Sequence, residues 1–286
     1  MPTLVRKISI LAIFLFISFS SCKKKEKTLI LAAEGKFEKG DYHGAITLLN
    51  QLLSKDSLCY PAYRLRGMSY FNCDNYLLAM KDFGRVIKFN EFDTLLLIKS
   101  GICYEKMGIL QDALINYDKV ISLNRNQKDV LLRRAKIFSR LGKFDFALKD
   151  YNAVLAADSV SFVAYNDMAL ILEKLNRYED AIKLYNRALS ISPLDAGILF
   201  NRGVSYLYLE NARLGLRDFN DAIKLDPVNS LFLLNRGFAY LMLNQRDSAC
   251  SDWSSSMKLG NEEAKEYLQR NCVEKNLKSQ KTDYKM

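Results

Sequence analysis

Apolar side chains recur at spacings of three and four residues through most of the chain, in short segments separated by turns such as MGIL at 107–110 and LGKF at 141–144. Such spacing places the apolar side chains on one face of an α-helix. The turns end each segment, so consecutive segments pair as helical hairpins. The pattern therefore predicts an all-α chain of stacked hairpins, because a single hairpin cannot bury its own apolar face.

The hairpin pattern repeats with a period of 34 residues, which is the offset between NRGVSYLYL at 201–209 and NRGFAYLML at 235–243. Two series of small residues and one series of large apolar residues keep this register. A small residue allows two helix backbones to approach closely, and the large side chain fills the space beside it. The first small series is Ala33, Gly67, Gly101, Ala135, Ala169, Gly203 and Gly237, the second is Ala45, Ala79, Ala113, Ala147, Ala181, Gly215 and Ala249, and the large series is Leu49, Phe83, Tyr117, Tyr151, Tyr185, Phe219 and Trp253.

This register resembles the tetratricopeptide repeat, whose consensus has small residues at the eighth and twentieth positions and an aromatic residue at the twenty-fourth. The resemblance implies a superhelical solenoid of about seven helical hairpins. A segment with apolar Ala264, Tyr267 and Leu268 follows the last hairpin and is expected to cap it. The implied boundaries are repeats at 26–59, 60–93, 94–127, 128–161, 162–195, 196–229 and 230–263, a capping helix at 264–273 and a polar tail at 274–286.

The start of the chain has the pattern of an export signal rather than of the repeats. Arg6 and Lys7 precede an apolar stretch at 8–19, which is shorter than the roughly 20 residues that a spanning helix needs. Phe19-Ser20-Ser21-Cys22 then resembles the lipobox of bacterial lipoproteins, especially those of Bacteroidetes-type bacteria. The resemblance implies that residues 1–21 are removed and that Cys22 is acylated with palmitate or similar chains. The alternative is an ordinary secretory signal with an incidental cysteine.

An acylated Cys22 followed by a lysine-rich spacer at 22–28 predicts a protein held at a membrane surface. The expected location is the bacterial cell envelope, facing the periplasm. Lys23 follows the cysteine, where the retention rule of enteric lipoproteins asks for Asp, and this favours the outer over the inner membrane. KKKEK also lacks the acidic run associated with surface export in Bacteroidetes-type lipoproteins, so the inward-facing leaflet is expected.

Charge and chemistry exclude several classes of function. The formal net charge of +10 falls to +8 without residues 1–21, but the basic residues form no single stripe and an exported protein meets little nucleic acid, so no nucleic-acid partner is expected. His43 is the only histidine, and no His/Cys cluster with metal spacing or glycine-rich phosphate loop is present. The sequence therefore predicts a non-catalytic protein without a metal or cofactor.

The cysteines offer one candidate disulfide. Five remain if Cys22 is acylated, and an odd number leaves at least one unpaired or bonded to another molecule. Cys250 lies in the last hairpin and Cys272 ends the capping segment, so a disulfide between them would fasten the cap; two buried thiols are the alternative. Cys73 and Cys103, on first helices of adjacent repeats, are a weaker candidate pair.

The family resemblance also implies a binding groove lined by the first helices of the repeats. In the last two repeats the groove positions are strongly apolar, and the sixth position adds amides that resemble the asparagine ladders of long repeat superhelices. The alternative is that the superhelix buries part of this stripe, or that the C-terminal tail occupies it. The predicted groove residues are Phe200, Val204, Leu207, Tyr208, Leu231, Leu234, Phe238, Leu241 and Met242, with Asn201 and Asn235.

Together these patterns predict a membrane-anchored, non-catalytic scaffold for protein interaction or assembly in the cell envelope, with a protein or peptide partner bound in the apolar groove. A carrier that sequesters a hydrophobic peptide or a small apolar ligand in the same groove is the alternative. The fold alone does not identify the partner.

Overall fold

The computed structural model describes residues 24–273, and helices are the regular secondary structure of this part of the chain. The all-α prediction of seven helical hairpins followed by a C-terminal capping helix is confirmed. The export signal, Cys22 and the polar tail at 274–286 lie outside the described residues. The helices are α1 (Lys24–Glu38), α2 (Tyr42–Leu53), α3 (Tyr60–Asn72), α4 (Tyr76–Phe89), α5 (Thr94–Lys106), α6 (Leu110–Leu123), α7 (Lys128–Arg140), α8 (Phe144–Ala157), α9 (Phe162–Lys174), α10 (Tyr178–Ile191), α11 (Ala196–Tyr208), α12 (Ala212–Leu225), α13 (Ser230–Met242), α14 (Arg246–Lys258) and α15 (Glu262–Leu268), with a π-helical turn at Gln269–Val273.

The chain divides into two compact units, residues 1–137 and 138–286. In the first unit, the core under α1–α5 is built from the inner faces of consecutive helices, including Leu49, Tyr63 and Phe83. In the second unit, one core lies around Tyr185 and another lies under the capping helix around Trp253. Each core is shared by neighbouring hairpins, as expected for repeats that cannot bury an apolar face alone.

Every hairpin turn contains one residue with a left-handed backbone conformation at the same repeat position. Only three of these seven residues are glycine, so the backbone conformation of the turns is more regular than their sequence. In each turn the following N–H donates to the carbonyl five residues before it, as Asn75 does to Tyr70 at 2.9 Å, which satisfies the end of the first helix. The residues are Gly40, Asp74, Gly108, Gly142, Asn176, Glu210 and Asn244.

The two helices of a hairpin meet where the first small series faces the large series. A Cβ atom added to Gly67 would lie 2.7 Å from the ring of Phe83, and one added to Gly237 would lie 2.3 Å from the ring nitrogen of Trp253. Both rings are fully buried. The ring therefore leaves no room for a larger side chain at the facing position. The close contact with the small residue in turn holds the ring in place.

We expect Gly67→Ala to destabilise the first unit by about 1–2 kcal/mol, because overpacking against Phe83 outweighs the helix propensity that alanine adds. Gly84, in α4 of the same hairpin, is the matched control: an added Cβ there meets nothing within 4 Å. Gly84→Ala should leave stability unchanged or raise it by up to about 1 kcal/mol. Thermal unfolding followed by circular dichroism, with amide exchange of α3 and α4, compares the two; equal effects would contradict the close-contact account.

Candidate functional site

The predicted groove lies on α11 and α13 in the second unit. Tyr208, Leu231 and Met242 expose 64%, 50% and 43% of their surface, and the ring of Tyr208 stacks on Tyr178 with 4.6 Å between centroids. Four further groove residues are half-buried and form the floor between them: Phe200, Val204, Leu207 and Leu241. An apolar surface is thus open to solvent in the described part of this unit.

Two of the predicted groove residues lie elsewhere than expected. Leu234 is a core residue, 3% exposed, and its carbonyl accepts a hydrogen bond from Trp253 Nε1 at 3.1 Å. The ring of Phe238 is covered by Tyr267 of α15, with 4.6 Å between centroids, and also contacts Trp253. The C-terminal cap therefore closes this end of the groove, and the open surface is smaller than the sequence pattern suggested.

The predicted amide ladder is engaged with neighbouring polar groups. Asn201 Nδ2 donates to Asn166 Oδ1 of the preceding hairpin at 3.3 Å, whereas Asn235 Nδ2 donates to the carbonyl of Leu231 within α13 at 2.9 Å. The first bond joins two first helices across a repeat boundary. The second ties its amide to its own helix, so the two asparagines are not equivalent.

A largely buried ion pair that the sequence analysis missed recurs in three hairpins and ties each of these to the hairpin before it. Arg202 donates two hydrogen bonds to the Asp218 carboxylate at 2.6 and 2.8 Å and a third to Asn186 Oδ1 of the preceding hairpin at 2.7 Å. Burial raises the pKa of Asp218, and the hydrogen bonds from Arg202 oppose that rise. The equivalent sets are Arg66 with Asp82 and Asn50, and Arg236 with Asp252 and Asn220.

This ion pair has a sequence signal. The arginine directly precedes the first small residue of its repeat. The aspartate lies 16 residues after the arginine, and the asparagine lies 16 residues before the arginine. Removing one partner would leave a buried charge unpaired, which typically costs about 3–5 kcal/mol. The set therefore fixes how one hairpin stacks on the next and is not available for chemistry.

The polarity of the groove floor follows from the ring buried beneath it. Tyr117 of α6 reaches the Glu105 carboxylate of α5 with its hydroxyl at 3.0 Å, and Arg133 also contacts Glu105, at 3.2 Å. Where the buried ring lacks a hydroxyl, the residue at the position equivalent to Glu105 is apolar. This residue is Phe71 in the repeat of Phe83, Leu207 in the repeat of Phe219 and Leu241 in the repeat of Trp253. Buried hydroxyls are usually hydrogen-bonded, and polar side chains accordingly lie beside the hydroxyls of Tyr117 and Tyr151.

Glu173 occupies the equivalent floor position in the second unit. It accepts a hydrogen bond from Ser205 Oγ of the next hairpin at 2.5 Å, and the buried ring of Tyr185 lies beside it. Burial raises the pKa of Glu173, while the hydrogen bond from Ser205 opposes the rise. Burial, followed by the charge of Glu173, raises the pKa of Tyr185. The carboxylate is thus the charged end of a small polar cluster next to the apolar surface.

We expect Glu173→Gln to stabilise the protein at neutral pH relative to the native chain. The native-state pKa of Glu173 lies above its unfolded value, so folding takes up protons and the native chain loses stability as pH rises from the unfolded pKa through the raised one. Glutamine can still accept from Ser205 without a buried charge. Urea unfolding from pH 4 to 8 should show that the free energy of unfolding of Glu173→Gln exceeds that of the native chain by an amount that grows with pH. Glu179→Gln, which changes an exposed side chain, is the control and should show no such growing difference.

A disulfide between Cys250 of α14 and Cys272 of the π-helical turn holds the cap, with 5.9 Å between the Cα atoms. Tyr267 and Leu268 pack on the core around Trp253, and the Arg246 guanidinium donates to the carbonyl of Asn271. Cys73 and Cys103 are free thiols, so the weaker candidate pair is not bonded. Burial raises the pKa of the Cys103 thiol to about 12, which keeps it protonated and unreactive at neutral pH.

We expect the double variant Cys250→Ser, Cys272→Ser to lose about 2–4 kcal/mol of stability in the last hairpin, since the disulfide closes a loop that the unfolded chain would otherwise leave open. Loosening the cap exposes Trp253, the only tryptophan, so its emission should shift to the red and acrylamide should quench it more. Cys73→Ser is the control. An unchanged emission spectrum in the double variant would mean that packing alone holds the cap.

Other chemistry is sparse in residues 24–273. A shallow depression of about 430 Å³ beside Met242 is lined by Glu210, Asn211, Ala212, Arg213 and Leu243. The Cys73 sulfur lies 4.0 Å from His43 Nε2, but the described residues hold no group of three or more metal-ligating side chains. Within the same part of the chain, no helix is long and apolar enough to cross a membrane.

The comparisons with known proteins agree with this architecture. Residues 132–196 match the tetratricopeptide repeat family. A tetratricopeptide repeat protein from Parabacteroides merdae is 19% identical, with a TM-score of 0.65 over 86% of this chain and 98% of its own. The C-terminal part of a repeat-containing protein from Cytophaga hutchinsonii is 16% identical, with a TM-score of 0.69 over 83% and 98%. MamA from Desulfovibrio magneticus is 20% identical, with a TM-score of 0.55 over 58% and 94%.

No curated protein matches the chain by sequence. The chain is thus an all-α protein with the tetratricopeptide repeat fold, and residues 132–196 carry repeats of that family. Proteins with this fold generally act as non-catalytic scaffolds that bind other proteins.

Proposed function

We propose that the protein is a membrane-anchored scaffold of the bacterial cell envelope that binds a protein partner on the apolar surface of α11 and α13. The observation that carries the proposal is the exposure of Tyr208 and Met242 at the C-terminal ends of the neighbouring first helices α11 and α13, with Leu231 exposed at the start of α13. Large apolar side chains are normally exposed together only where another molecule covers them. The fold adds the expectation that this other molecule is a protein.

The shape and spacing of the surface favour an amphipathic helix or an extended segment as the bound part of the partner. The half-buried floor residues Phe200, Val204 and Leu207 follow one another along α11, and Leu241 lies on α13. They offer a row of apolar contacts rather than one deep cavity. Grooves of this kind bind the apolar face of a helix or alternate side chains of a strand. The Tyr208–Tyr178 stack would form one wall of the site, since paired aromatic rings give a large and rigid contact area.

The proposed anchor rests on the sequence alone. The segment at 8–19 has the length of an export signal, and Phe19-Ser20-Ser21-Cys22 resembles a lipobox. Acyl chains on Cys22, with lysines beside them, would hold the protein at the periplasmic face of a membrane, and the residue after the cysteine favours the outer membrane. Mass spectrometry of the mature N-terminus would test this directly.

Site-specific photo-crosslinking in intact cells tests the partner site. With the probe at Leu231 we expect one discrete adduct with another protein, because this side chain is exposed beside the groove floor. Leu214 on the second helix α12 is the matched control, since it is a leucine with 39% exposure, and should give no such adduct. The variant Leu231→Glu with Met242→Glu should abolish capture at Tyr208 without unfolding the chain.

Adducts of equal intensity at Leu231 and Leu214 would contradict a specific site on α11 and α13. An adduct that joins Leu231 to the chain's own C-terminal tail would mean that the surface is covered from within. In either case the scaffold would bind through another face.

A carrier for a small apolar ligand is the second candidate, and the depression beside Met242 is the observation that favours it. Its volume of about 430 Å³ is in the range of ligand sites, but the lining is mixed and open to solvent. Native mass spectrometry of protein purified from its membrane would detect a retained ligand. The carrier would be favoured if the native protein retains a ligand that Met242→Glu loses, and if photo-crosslinking at Leu231 gives no protein adduct.

A further inference from the structure

A cluster of exposed apolar side chains lies on one edge of the first unit. Leu58, Phe89 and Phe92 expose 66%, 61% and 61% of their surface, and the ring of Tyr60 stacks on Phe89 with 4.4 Å between centroids. We call Leu58, Tyr60, Phe89 and Phe92 the aromatic edge patch. It is separate from the proposed partner site, which lies in the second unit.

The position of the patch follows from the topology of the hairpins. Each turn reverses the direction of the chain, so α1, α3 and α5 begin at one edge of the unit and end at the other. Tyr60 is the first residue of α3, Phe89 is the last residue of α4, and Phe92 lies in the turn before α5. Since α1 begins at Lys24 on this same edge, the preceding part of the chain joins the unit beside the patch.

Basic side chains accompany the patch. Lys55, Lys88 and Arg125 lie in or beside the inter-repeat turns, are exposed, and form no ion pair within the described residues. Lys119 adds its ammonium group 6.0 Å from the centre of the Phe92 ring. The edge thus offers apolar rings together with the basic groups of Lys55, Lys88 and Arg125, which form no ion pair within the described residues.

Two acidic groups of this edge form ion pairs, whereas Asp56 and Asp129 keep their charge. Asp93 caps α5 and pairs with Arg64, Glu91 pairs with Lys119 at 3.1 Å, and the Asp56 carboxylate accepts from the N–H of Leu58. Asp129, in the first turn of α7, is exposed as well. Three basic groups, Lys55, Lys88 and Arg125, therefore face two carboxylates that are not in ion pairs, and this small positive excess suits an anionic surface.

We propose that the aromatic edge patch rests in the headgroup region of a phospholipid membrane, with Lys55, Lys88 and Arg125 near anionic headgroups. Aromatic rings favour the boundary between water and hydrocarbon, and lysine and arginine stems lie along apolar surface while their charges stay hydrated. The inference rests on the proposed lipid anchor and extends it, because it assigns the side of the protein that faces the membrane.

The length of the tether favours lipid over a protein occupant. Only two residue steps separate Cys22 from Lys24, the first residue of α1, and an extended chain spans at most about 3.5 Å per residue. An acylated Cys22 would therefore hold the start of α1 about 7 Å or less from the anchor point. The edge that carries the patch is then the part of the first unit closest to the bilayer.

Tryptophan quenching by brominated lipid tests the contact in the full-length lipoprotein, reconstituted into phosphatidylethanolamine/phosphatidylglycerol vesicles. Trp253 is fully buried, so brominated lipid should quench its fluorescence little. The quenching observed then reports on the tryptophan added at the surface. Phe92→Trp places the probe in the patch. Met107→Trp is the matched control, because Met107 is 39% exposed in a turn at the opposite edge.

We expect brominated lipid to quench Phe92→Trp at least about twofold more than Met107→Trp, as for a ring at the membrane boundary. Adding Lys88→Glu and Arg125→Glu to Phe92→Trp should reduce that quenching. Equal quenching of both probes in protein that floats with the vesicles would overturn the patch and leave the anchor intact. Protein that does not float with the vesicles would overturn both the anchor and the patch.

Discussion

The close contact between a small residue on the first helix and a large side chain on the second is the constraint on which the rest of the structure depends. Glycine at Gly67, Gly101, Gly203 and Gly237 leaves no room for a Cβ atom beside the facing ring. This contact sets the distance between the two helices. The distance in turn places the next hairpin, so one local rule repeated along the chain produces the stacked architecture.

The same buried ring also determines what the surface above it can be. A phenylalanine or tryptophan ring allows an apolar floor, as at Phe219 beneath Leu207, whereas the hydroxyl of Tyr117 requires Glu105. Core packing and surface chemistry are therefore not independent in this fold. The apolar surface of the second unit lies where the core ring has no hydroxyl, and Glu173 lies beside the ring of Tyr185, which has one.

The stacking of the hairpins and the packing of the C-terminal cap decide which apolar side chains remain exposed to solvent. In three hairpins the arginine of a buried pair, such as Arg202 with Asp218, also bonds an asparagine of the preceding hairpin. The disulfide from Cys250 fastens the cap on the last hairpin. Two sets are among the apolar side chains left exposed. One lies on the first helices α11 and α13 of the second unit, and the other lies on the turns of the first unit near the start of α1.

The sequence by itself determined the helices, the repeat period and the hairpin pairing, because each depends on residues close together in the chain and recurs seven times. It also indicated the apolar face of α11 and α13. Only the tertiary structure decided that Leu234 is core and that Tyr267 covers Phe238. It likewise revealed the Arg–Asp–Asn sets and the aromatic edge patch. Side-chain exposure depends on how neighbouring hairpins and the cap pack, and a pattern read along one helix does not contain that information.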